Sequence, residues 1–241
     1  GSGSGGGVAA NILNKKYEVG IFEKGSYGNG MTNNETFGYH NFYDTNGIQQ
    51  TRGYKVLLLA GMGIGGGTSV NWTTSLRTPN QILNEWDNLT EQDNYFNSSE
   101  FKNSMDYVCK ELNVDIKNNR IPQKEEKLAE GLELNNLSYK IIPRNTSNDE
   151  CTESGFSTFG RYDESINSTN KIWFSEERFE PNNVFSDTNI TSLDLSNGRA
   201  THINVENNGK LHKVAVDKVV LAAGSLNTPK ILLDSGYKNK H

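Results

Sequence analysis

Three glycines and one acid near the start of the chain have residue types and a spacing suited to ligand binding. Gly1, Gly3 and Gly6 follow the pattern Gly-x-Gly-x-x-Gly, and Glu23 stands 20 residues after Gly3. Glycines let the backbone turn tightly beside a pyrophosphate, and a carboxylate at this distance accepts hydrogen bonds from ribose hydroxyls. The spacing therefore predicts a dinucleotide site, although the Gly/Ser composition of residues 1–7 is by itself also typical of a flexible linker.

A second glycine-rich segment runs from residue 61 to residue 72. Its candidate binding residues are Gly65, Gly66, Gly67, Thr68 and Asn71. One interpretation is a backbone that lies flush against a flat or anionic ligand, with the hydroxyl and amide side chains supplying hydrogen bonds. The alternative is a glycine hinge between a strand and a helix. A phosphate-binding Walker loop is excluded, because the Lys followed by Ser or Thr is absent.

The elements that must position these residues alternate at the start of the chain. An apolar helical face over residues 8–13 precedes a strand at residues 17–22, which ends at Glu23. Glycine loop, helix, strand and acid are the order of a dinucleotide-binding fold, which favours the site over the linker. Residues 25–53 have no periodicity and predict a long loop, and residues 56–60 predict a short strand.

The middle of the chain predicts helices. Apolar residues recur at helical spacing after Pro79 and again over residues 101–112, where Ser98 or Ser99 is the expected cap. Residues 125–137 predict a further helix, and residues 145–170 are polar and irregular.

The last third of the chain changes to the alternation of strands. Residues 190–216 predict an antiparallel meander with turns at Asn197-Gly198 and Asn208-Gly209. Residues 219–224 predict a buried strand, and Pro229 predicts the start of a helix. We expect three regions: residues 1–78, a helical and loop insertion over 79–185 on the substrate side, and residues 186–241 with the meander and the last strand and helix.

Composition excludes several classes of protein. The chain has 241 residues, 34% of them hydrophobic, and a net charge of −5 without a basic stripe, so nucleic acid is not an expected partner. Its two cysteines, Cys109 and Cys151, lack the spacing of a metal site, and no metal is expected. No apolar run is long enough for a membrane span. The chain lacks an initiating Met and a signal peptide, so we expect a piece of a longer protein.

Together the three glycine-containing segments resemble the glucose-methanol-choline (GMC) family of flavin-dependent alcohol oxidoreductases. The segment at residues 61–72 is similar to the first signature of that family, and the segment at residues 224–236 is similar to the second. Shorter stretches are similar to the long-chain (fatty) alcohol oxidase branch: residues 65–72, 75–79, 142–145 and 197–201. The resemblance implies an α/β, Rossmann-like FAD-binding domain with a discontinuous parallel sheet, an antiparallel β-meander and helical insertions.

The resemblance also implies roles for the candidate residues. Gly1, Gly3 and Gly6 would lie at the pyrophosphate of FAD, and Glu23 at the adenosine ribose. Residues 65–68 and Asn71 would follow the pyrophosphate and flavin, and Ala223 and Gly224 would close the site. In the family, an alcohol loses a proton to a His base while its hydride passes to the flavin, and in the oxidases oxygen takes up the electrons as hydrogen peroxide. The implied partner is a small alcohol, long-chain and aliphatic in this branch.

This sequence departs from the family in places. The catalytic His of the family lies in a C-terminal portion after residue 236, and His40, His202, His212 and His241 match no such motif. We therefore expect no catalytic residue in this chain, an absent substrate domain, and no turnover by the chain alone. His202 and His212 are expected to face solvent on the meander.

Smaller mismatches weaken the local comparison. Tyr237 replaces an aliphatic residue of the second signature, Gly20 interrupts a strand, and only Cys151 remains of a Cys-rich loop. The alternatives are a truncated, inactive nucleotide-binding paralogue and, less favoured, an NAD-dependent dehydrogenase. Membrane association, natural for an enzyme of lipid alcohols, has no anchor in these residues, and an intracellular location is favoured with no compartment assigned.

Overall fold

The computed structural model describes residues 1–27, 34–90, 94–117, 121–147, 165–175, 178–180 and 183–238. The described residues form two compact units. The first contains the described residues of 1–71 and 168–238, and the second contains those of 72–147 and 165–167. The division into three regions proposed from the sequence stays a prediction.

The first unit begins with the helix and strand expected from the sequence. Helix α1 spans Ser4–Leu13, so that the glycine-rich loop is confined to residues 1–3. Strand β1, Ile21–Phe22, pairs in parallel with β4, Val184–Phe185. The ring of Phe22 stacks on that of Phe185 at a centroid distance of 4.9 Å. The expected strand is shortened to its last two residues, because among the described residues no neighbouring strand pairs with residues 17–20.

The prediction of a long loop over residues 25–53 is wrong for much of its length. Helix α2 spans Glu35–Phe42, a 3₁₀ turn spans Asp44–Asn46, and strands β2, Gln49–Gln50, and β3, Leu57–Leu58, form an antiparallel pair. Sequence periodicity missed α2 because its stability comes from capping and from tertiary packing. The Asn34 side chain accepts from the Phe37 amide, and Phe42 packs with Tyr43 and Val70. Residues 28–33 lie outside the described residues.

The antiparallel meander is confirmed. It consists of β5, Thr188–Ser196, β6, Arg199–Asn207, and β7, Lys210–Ala215, in that spatial order. Both turns are Asn-Gly pairs in the left-handed region, with φ of 50° and 74° at residues 197 and 198 and 51° and 72° at residues 208 and 209. Such turns match the twist of paired strands, which is why Asn-Gly predicts them well.

The buried strand predicted at residues 219–224 is absent from the described part of the chain. These residues have no strand partner there, and the side chain of Val220 is 60% exposed. Val219, Leu221 and Ala223 instead pack against the buried cluster of Leu193, Ile203, Val205 and Ile231. The apolar residues of this segment thus correctly predicted that one of its faces packs against the core, but the pairing with a neighbouring strand that they also predicted is absent from the described residues.

The final helix, α7, spans Gly224–Asp234 and begins five residues before Pro229, which lies inside it. The prediction that Pro229 starts the helix is therefore wrong. The hydroxyl of Thr228 accepts from the Ala223 amide at 3.0 Å, which satisfies a backbone donor at the start of the first turn. A short helix α6, Thr169–Trp173, capped by Ser168, packs on α1.

The second unit is helical, as expected. Helix α3 spans Asn80–Thr90, α4 spans Ser99–Glu111 and α5 spans Gln123–Leu134. Ser98 caps α4 by accepting from the Phe101 amide at 3.2 Å, which confirms one of the two expected caps. Leu83 is fully buried, and the rings of Trp86 and Phe101 both contact Phe96 edge-on. The buried carboxylate of Asp87 accepts from the Phe96 amide and the Asn97 side chain.

The segment expected to be irregular forms part of a polar core in the second unit. Asn145 and Asn167 are buried and bond each other through backbone and side-chain groups. Buried polar groups need such partners, since an unpaired one costs about 1–3 kcal/mol. Arg144 donates to the hydroxyl of Thr73, a buried β-branched residue with φ of 60°. Residues 148–164, including Cys151, lie outside the described residues.

Candidate functional site

The site is built around the carboxylate of Glu23, which directly follows β1. Its side chain is buried, and Oε2 accepts from both the amide and the hydroxyl of Ser2, at 2.9 and 2.7 Å. Oε1 accepts from the Gly25 amide at 3.1 Å. Three donors thus occupy three of the roughly four lone-pair positions of a carboxylate. The parallel pairing of β1 with β4 fixes the backbone at this point, because the Glu23 amide donates to the Phe185 carbonyl.

Ser2 connects the two glycine-rich segments. Its side chain is fully buried, and its hydroxyl accepts from the Gly65 amide at 3.0 Å while donating to Glu23. Its carbonyl accepts from the hydroxyl of Thr169 at 2.9 Å. The first glycine loop is therefore bonded both to the acid expected to bind ribose and to the second glycine segment.

The second glycine segment packs directly on the backbone of the first. Gly65 and Gly66 have φ of 92° and 50°, in the left-handed region that favours glycine. A Cβ on Gly66 would stand 3.0 Å from the Cα of Gly3, and a Cβ on Gly65 would stand 2.1 Å from the hydroxyl of Ser69. A side chain at position 66 would therefore press against the first segment, whereas one at position 65 would displace the side chain of Ser69 within the second segment itself.

Thr68 and Asn71 use their polar side-chain atoms on the protein. The Thr68 hydroxyl donates to the Gly65 carbonyl at 2.6 Å and lies 3.0 Å from the Thr169 hydroxyl. The Asn71 amide donates to the carbonyls of Gly67 and Thr68, at 2.9 and 3.0 Å. Both side chains therefore hold the segment in shape.

Bare backbone remains open at the two glycine segments. No described atom lies nearer than 4.0 Å to a Cβ built on Gly3, and none lies within 4 Å of one built on Gly67. Gly3 caps α1 without a side-chain hydrogen bond, and the first turn of α1 has no acidic residue. The first amides of a helix have no intrahelical partner and carry a partial positive charge. This arrangement fits an anionic group such as a pyrophosphate.

The end of the chain contacts the first glycine loop. A Cβ on Gly1 would stand 2.2 Å from the Ala222 carbonyl oxygen, and a Cβ on Gly6 would stand 2.0 Å from the Gly1 carbonyl oxygen. The structure thus brings Ala223, next in the chain to Ala222, beside Gly1. Gly224 has φ of 80° at the start of α7 and has no described atom within 4 Å of its Cβ position.

A partly buried ion pair, between Lys24 and Asp44, lies on the same unit. Asp44 accepts from Lys24 at 2.5 Å and from the Asn227 side chain of α7 at 3.0 Å. Burial alone would raise the pKa of Asp44, but the hydrogen bonds from Asn227 and Lys24 and the charge of Lys24 outweigh it and hold the pKa below its ordinary value.

Three residues of this region were not identified from the sequence. Ser2 lies inside the Gly-x-Gly pattern, where a buried hydroxyl could have been considered, because the flanking glycines leave it as the one side chain of the tight turn. Thr169 lies in a polar stretch without periodicity, and Asp44 lies in the segment interpreted as a loop. Neither has a signal in the sequence.

The meander carries two of the histidines. His212 is exposed on β7, whereas His202 is half-buried on β6 beside the Thr201 hydroxyl, and His241 lies outside the described residues. Within the described ranges, no three His, Cys, Asp or Glu side chains are grouped as metal ligands. Among the same residues, no helix has the length and apolarity to cross a membrane.

Comparison with known proteins supports one family. The family model described as GMC oxidoreductase matches residues 6–241. The chain is 32% identical to the long-chain-alcohol oxidase FAO4B of Arabidopsis thaliana and 30% identical to FAO4A of the same plant. These alignments cover 99% and 100% of this chain but 34% of each relative, so the chain spans about a third of their length.

Solved structures share the fold. An FAD-dependent oxidoreductase from Chaetomium thermophilum superimposes with a TM-score of 0.69 at 15% identity, over 98% of this chain and 46% of that one. Pyridoxine 4-oxidase from Mesorbium loti gives a TM-score of 0.56 at 14% identity, over 98% of this chain and 50% of that one. The α/β fold class predicted from the sequence is confirmed.

Proposed function

The chain belongs to the GMC oxidoreductase family, and on that basis we propose that it forms the FAD-binding part of an oxidoreductase acting on CH–OH groups. The substrate class we propose is a long-chain aliphatic alcohol, oxidised to the aldehyde with oxygen as electron acceptor. The names of the plant relatives, which are long-chain-alcohol oxidases, support this substrate. Bound FAD would supply the two-electron acceptor that the side chains of this chain lack.

The observation that carries the proposal is the contact between the two glycine-rich segments beside Glu23. Gly66 packs on Gly3, and Ser2 bonds both Glu23 and Gly65. A dinucleotide-binding loop alone would account for Gly1, Gly3 and Gly6 with the acid. The second segment favours FAD over NAD, because a nicotinamide enzyme has no need of it.

Each candidate residue has a role in this proposal. The open backbone at Gly3 and the first turn of α1 would bind the pyrophosphate, and Oε1 of Glu23 would accept from a ribose hydroxyl. Gly67 would present bare backbone to the ligand, while Gly65, Gly66, Thr68 and Asn71 keep that backbone in shape. Gly1 and Gly6 are needed for close packing, and Ala223 and Gly224 border the site from the last segment.

The catalytic base lies outside this chain in our proposal. A general base must come within hydrogen-bond reach of the alcohol, directly or through one water. His202 and His212 lie on β6 and β7 of the meander, and no described hydrogen bond joins either of them to a glycine segment, which supports a base from another part of the protein. We therefore expect the 241 residues to bind FAD without turnover.

The test is FAD binding by the purified protein and by Glu23→Gln, measured from the quenching of flavin fluorescence. The variant keeps the shape of the side chain but turns one carboxylate oxygen into an amide donor, so the dissociation constant should rise at least about tenfold. Glu206→Gln, on the exposed face of β6, is the matched control and should bind FAD like the wild type.

The binding test separates the proposal from its alternatives. Equal affinity of Glu23→Gln and the wild type for FAD would refute the ribose role. Binding of NAD in preference to FAD would favour a dehydrogenase, and binding of ADP without FAD would favour an inactive nucleotide-binding paralogue.

A further inference from the structure

We propose that Ser2 is a positioning residue that determines which oxygen of Glu23 is left for the ribose and couples that oxygen to the second glycine segment. The inference rests on the proposed function, since it concerns how the same site holds an adenosine ribose. It assigns to one buried hydroxyl a role that neither the Gly-x-Gly-x-x-Gly pattern nor the acid suggests.

The two carboxylate oxygens of Glu23 differ in the donors that they receive. Oε2 receives both the amide and the hydroxyl of Ser2, whereas Oε1 receives only the Gly25 amide among the described donors. Two donors from one residue fix the rotation of the carboxylate about its last torsion, which is otherwise broad. Oε1 is therefore the oxygen with an acceptor position remaining for a ribose hydroxyl.

The proton of the Ser2 hydroxyl has two possible acceptors, an oxygen of Glu23 and the Gly63 carbonyl. A serine hydroxyl has one proton to donate and two lone pairs to accept with. The Glu23 oxygen at 2.7 Å is nearer than the Gly63 carbonyl at 3.2 Å, and a hydrogen bond to a charged acceptor is the stronger one. The proton therefore points to Glu23, and a lone pair remains for the Gly65 amide.

The second glycine segment depends on the same hydroxyl of Ser2. Gly65 is buried, and its amide donates to the Ser2 hydroxyl at 3.0 Å. A buried backbone donor needs a partner, so loss of this hydroxyl leaves Gly65 without one in its present conformation. The Gly65 carbonyl in turn accepts from Thr68, and Thr169 bonds both Thr68 and the Ser2 carbonyl. Orientation of Glu23 and shape of the second segment thus depend on the same atom.

The test is a double-mutant cycle with Ser2→Ala and Glu23→Ala, in which the affinities for FAD and for ADP are measured. ADP carries the adenosine ribose and the pyrophosphate without the flavin. Ser2→Ala should weaken binding of both ligands about tenfold, as expected for one buried hydrogen bond to a charged group. In the Glu23→Ala background the same substitution should weaken ADP binding less than about threefold, because the acid through which Ser2 acts on the ribose is gone.

Two further variants separate positioning from a general loss of stability. Ser2→Cys keeps the unbranched shape of the side chain but replaces the hydroxyl by a slightly larger thiol, which is a weak hydrogen-bond donor and acceptor, so it should weaken binding at least as much as Ser2→Ala. Ser235→Ala removes a hydroxyl with the same dual role, since Ser235 accepts from the Leu193 amide and donates to the Ile231 carbonyl. Ser235 lies at the end of α7, so Ser235→Ala should lower the melting temperature and leave the affinities for FAD and ADP unchanged.

Failure of the proposed function and failure of the inference about Ser2 give different results in these binding measurements. Wild-type protein that binds neither FAD nor ADP would overturn the proposed function. If the wild type binds and the Ser2 and Glu23 effects on ADP affinity are additive, the inference about Ser2 is wrong while the proposed function stands. Non-additive losses that Ser235→Ala does not reproduce would support the inference.

Discussion

Two adjacent glycines of α1, Gly5 and Gly6, are expected to respond in opposite directions to the same substitution. A Cβ on Gly6 would stand 2.0 Å from the Gly1 carbonyl oxygen and 3.1 Å from the Cβ of Ala222, whereas one on Gly5 would meet nothing within 4 Å. Real Cβ contacts shorter than 3.0 Å are essentially never seen, so Gly6→Ala requires the Gly1 carbonyl to move by about 1 Å.

The magnitude follows from two opposing effects. Alanine is favoured over glycine in a helix by about 1 kcal/mol, and overpacking of a tight contact costs about 1–3 kcal/mol or more. Gly5→Ala should therefore raise the free energy of unfolding by up to about 1 kcal/mol. The net effect of Gly6→Ala lies between about 0 and 2 kcal/mol of destabilisation, and the 2.0 Å contact with backbone places it near about 2 kcal/mol. For a chain of this size, about 1 kcal/mol corresponds to roughly +2 to +4 °C in melting temperature and a loss of about 2 kcal/mol to roughly −4 to −8 °C.

The assay is a thermal unfolding scan of both variants and the wild type without FAD. Ligand-free protein is required because a bound cofactor raises the melting temperature by mass action and would mix binding with packing. If Gly6→Ala stabilises the protein as Gly5→Ala does, the close packing of the first glycine loop on its own helix is wrong.

Three other substitutions test the structure away from the glycine segments. Asp44→Asn should lower the melting temperature at neutral pH. Because the pKa of Asp44 is lower in the folded protein than in the unfolded chain, the stability that the ionised carboxylate contributes is fully present above the unfolded pKa of about 3.9. That stability is lost as the pH falls through the lower pKa of the folded protein. The difference from the wild type should therefore shrink below about pH 4, and a constant difference would refute the lowered pKa of Asp44. Asp87→Ala removes the acceptor of two half-buried donors, the Phe96 amide and the Asn97 side chain, and should cost about 1 kcal/mol by denaturant unfolding. An unchanged free energy of unfolding would contradict this contact. Gly198→Ala, at φ of 74°, should cost about 1 kcal/mol, whereas a stabilised variant would contradict the turn geometry.

The elements that could be predicted from the sequence are those whose signal is local. The Asn197-Gly198 turn is specified by two adjacent residues that adopt positive φ, and the cap at Ser98 by one side chain next to a helix. Helix α2 could not be predicted in this way, because Phe42 and Val70, which pack together, are far apart in the chain. The strand expected at residues 219–224 failed for the same reason, since strand pairing depends on a distant neighbour that composition does not specify.

The candidate site is likewise only partly predictable from the sequence, because some of its contacts are local and others are not. The spacing of Gly3, Gly6 and Glu23 encodes a local supersecondary unit, so the glycines and the acid could be proposed from sequence alone. The bonds of Ser2 to Glu23 and Gly65 span 21 and 63 residues and required the structure. The position of Thr68 and Asn71 along the pyrophosphate and flavin stays a prediction, and the structure adds that their side chains bond the backbone of their own segment.

The central claim is that the two glycine-rich segments and Glu23 form an FAD site. The most direct measurement is the absorption spectrum of the purified protein after incubation with FAD and desalting, for this chain and for the same chain lengthened at both ends by its native neighbouring sequence. We expect both wild-type proteins to retain the flavin band and the Glu23→Gln variant of each to lose it. Loss of the band from both wild-type proteins would contradict the assignment and leave the family membership as a record of ancestry.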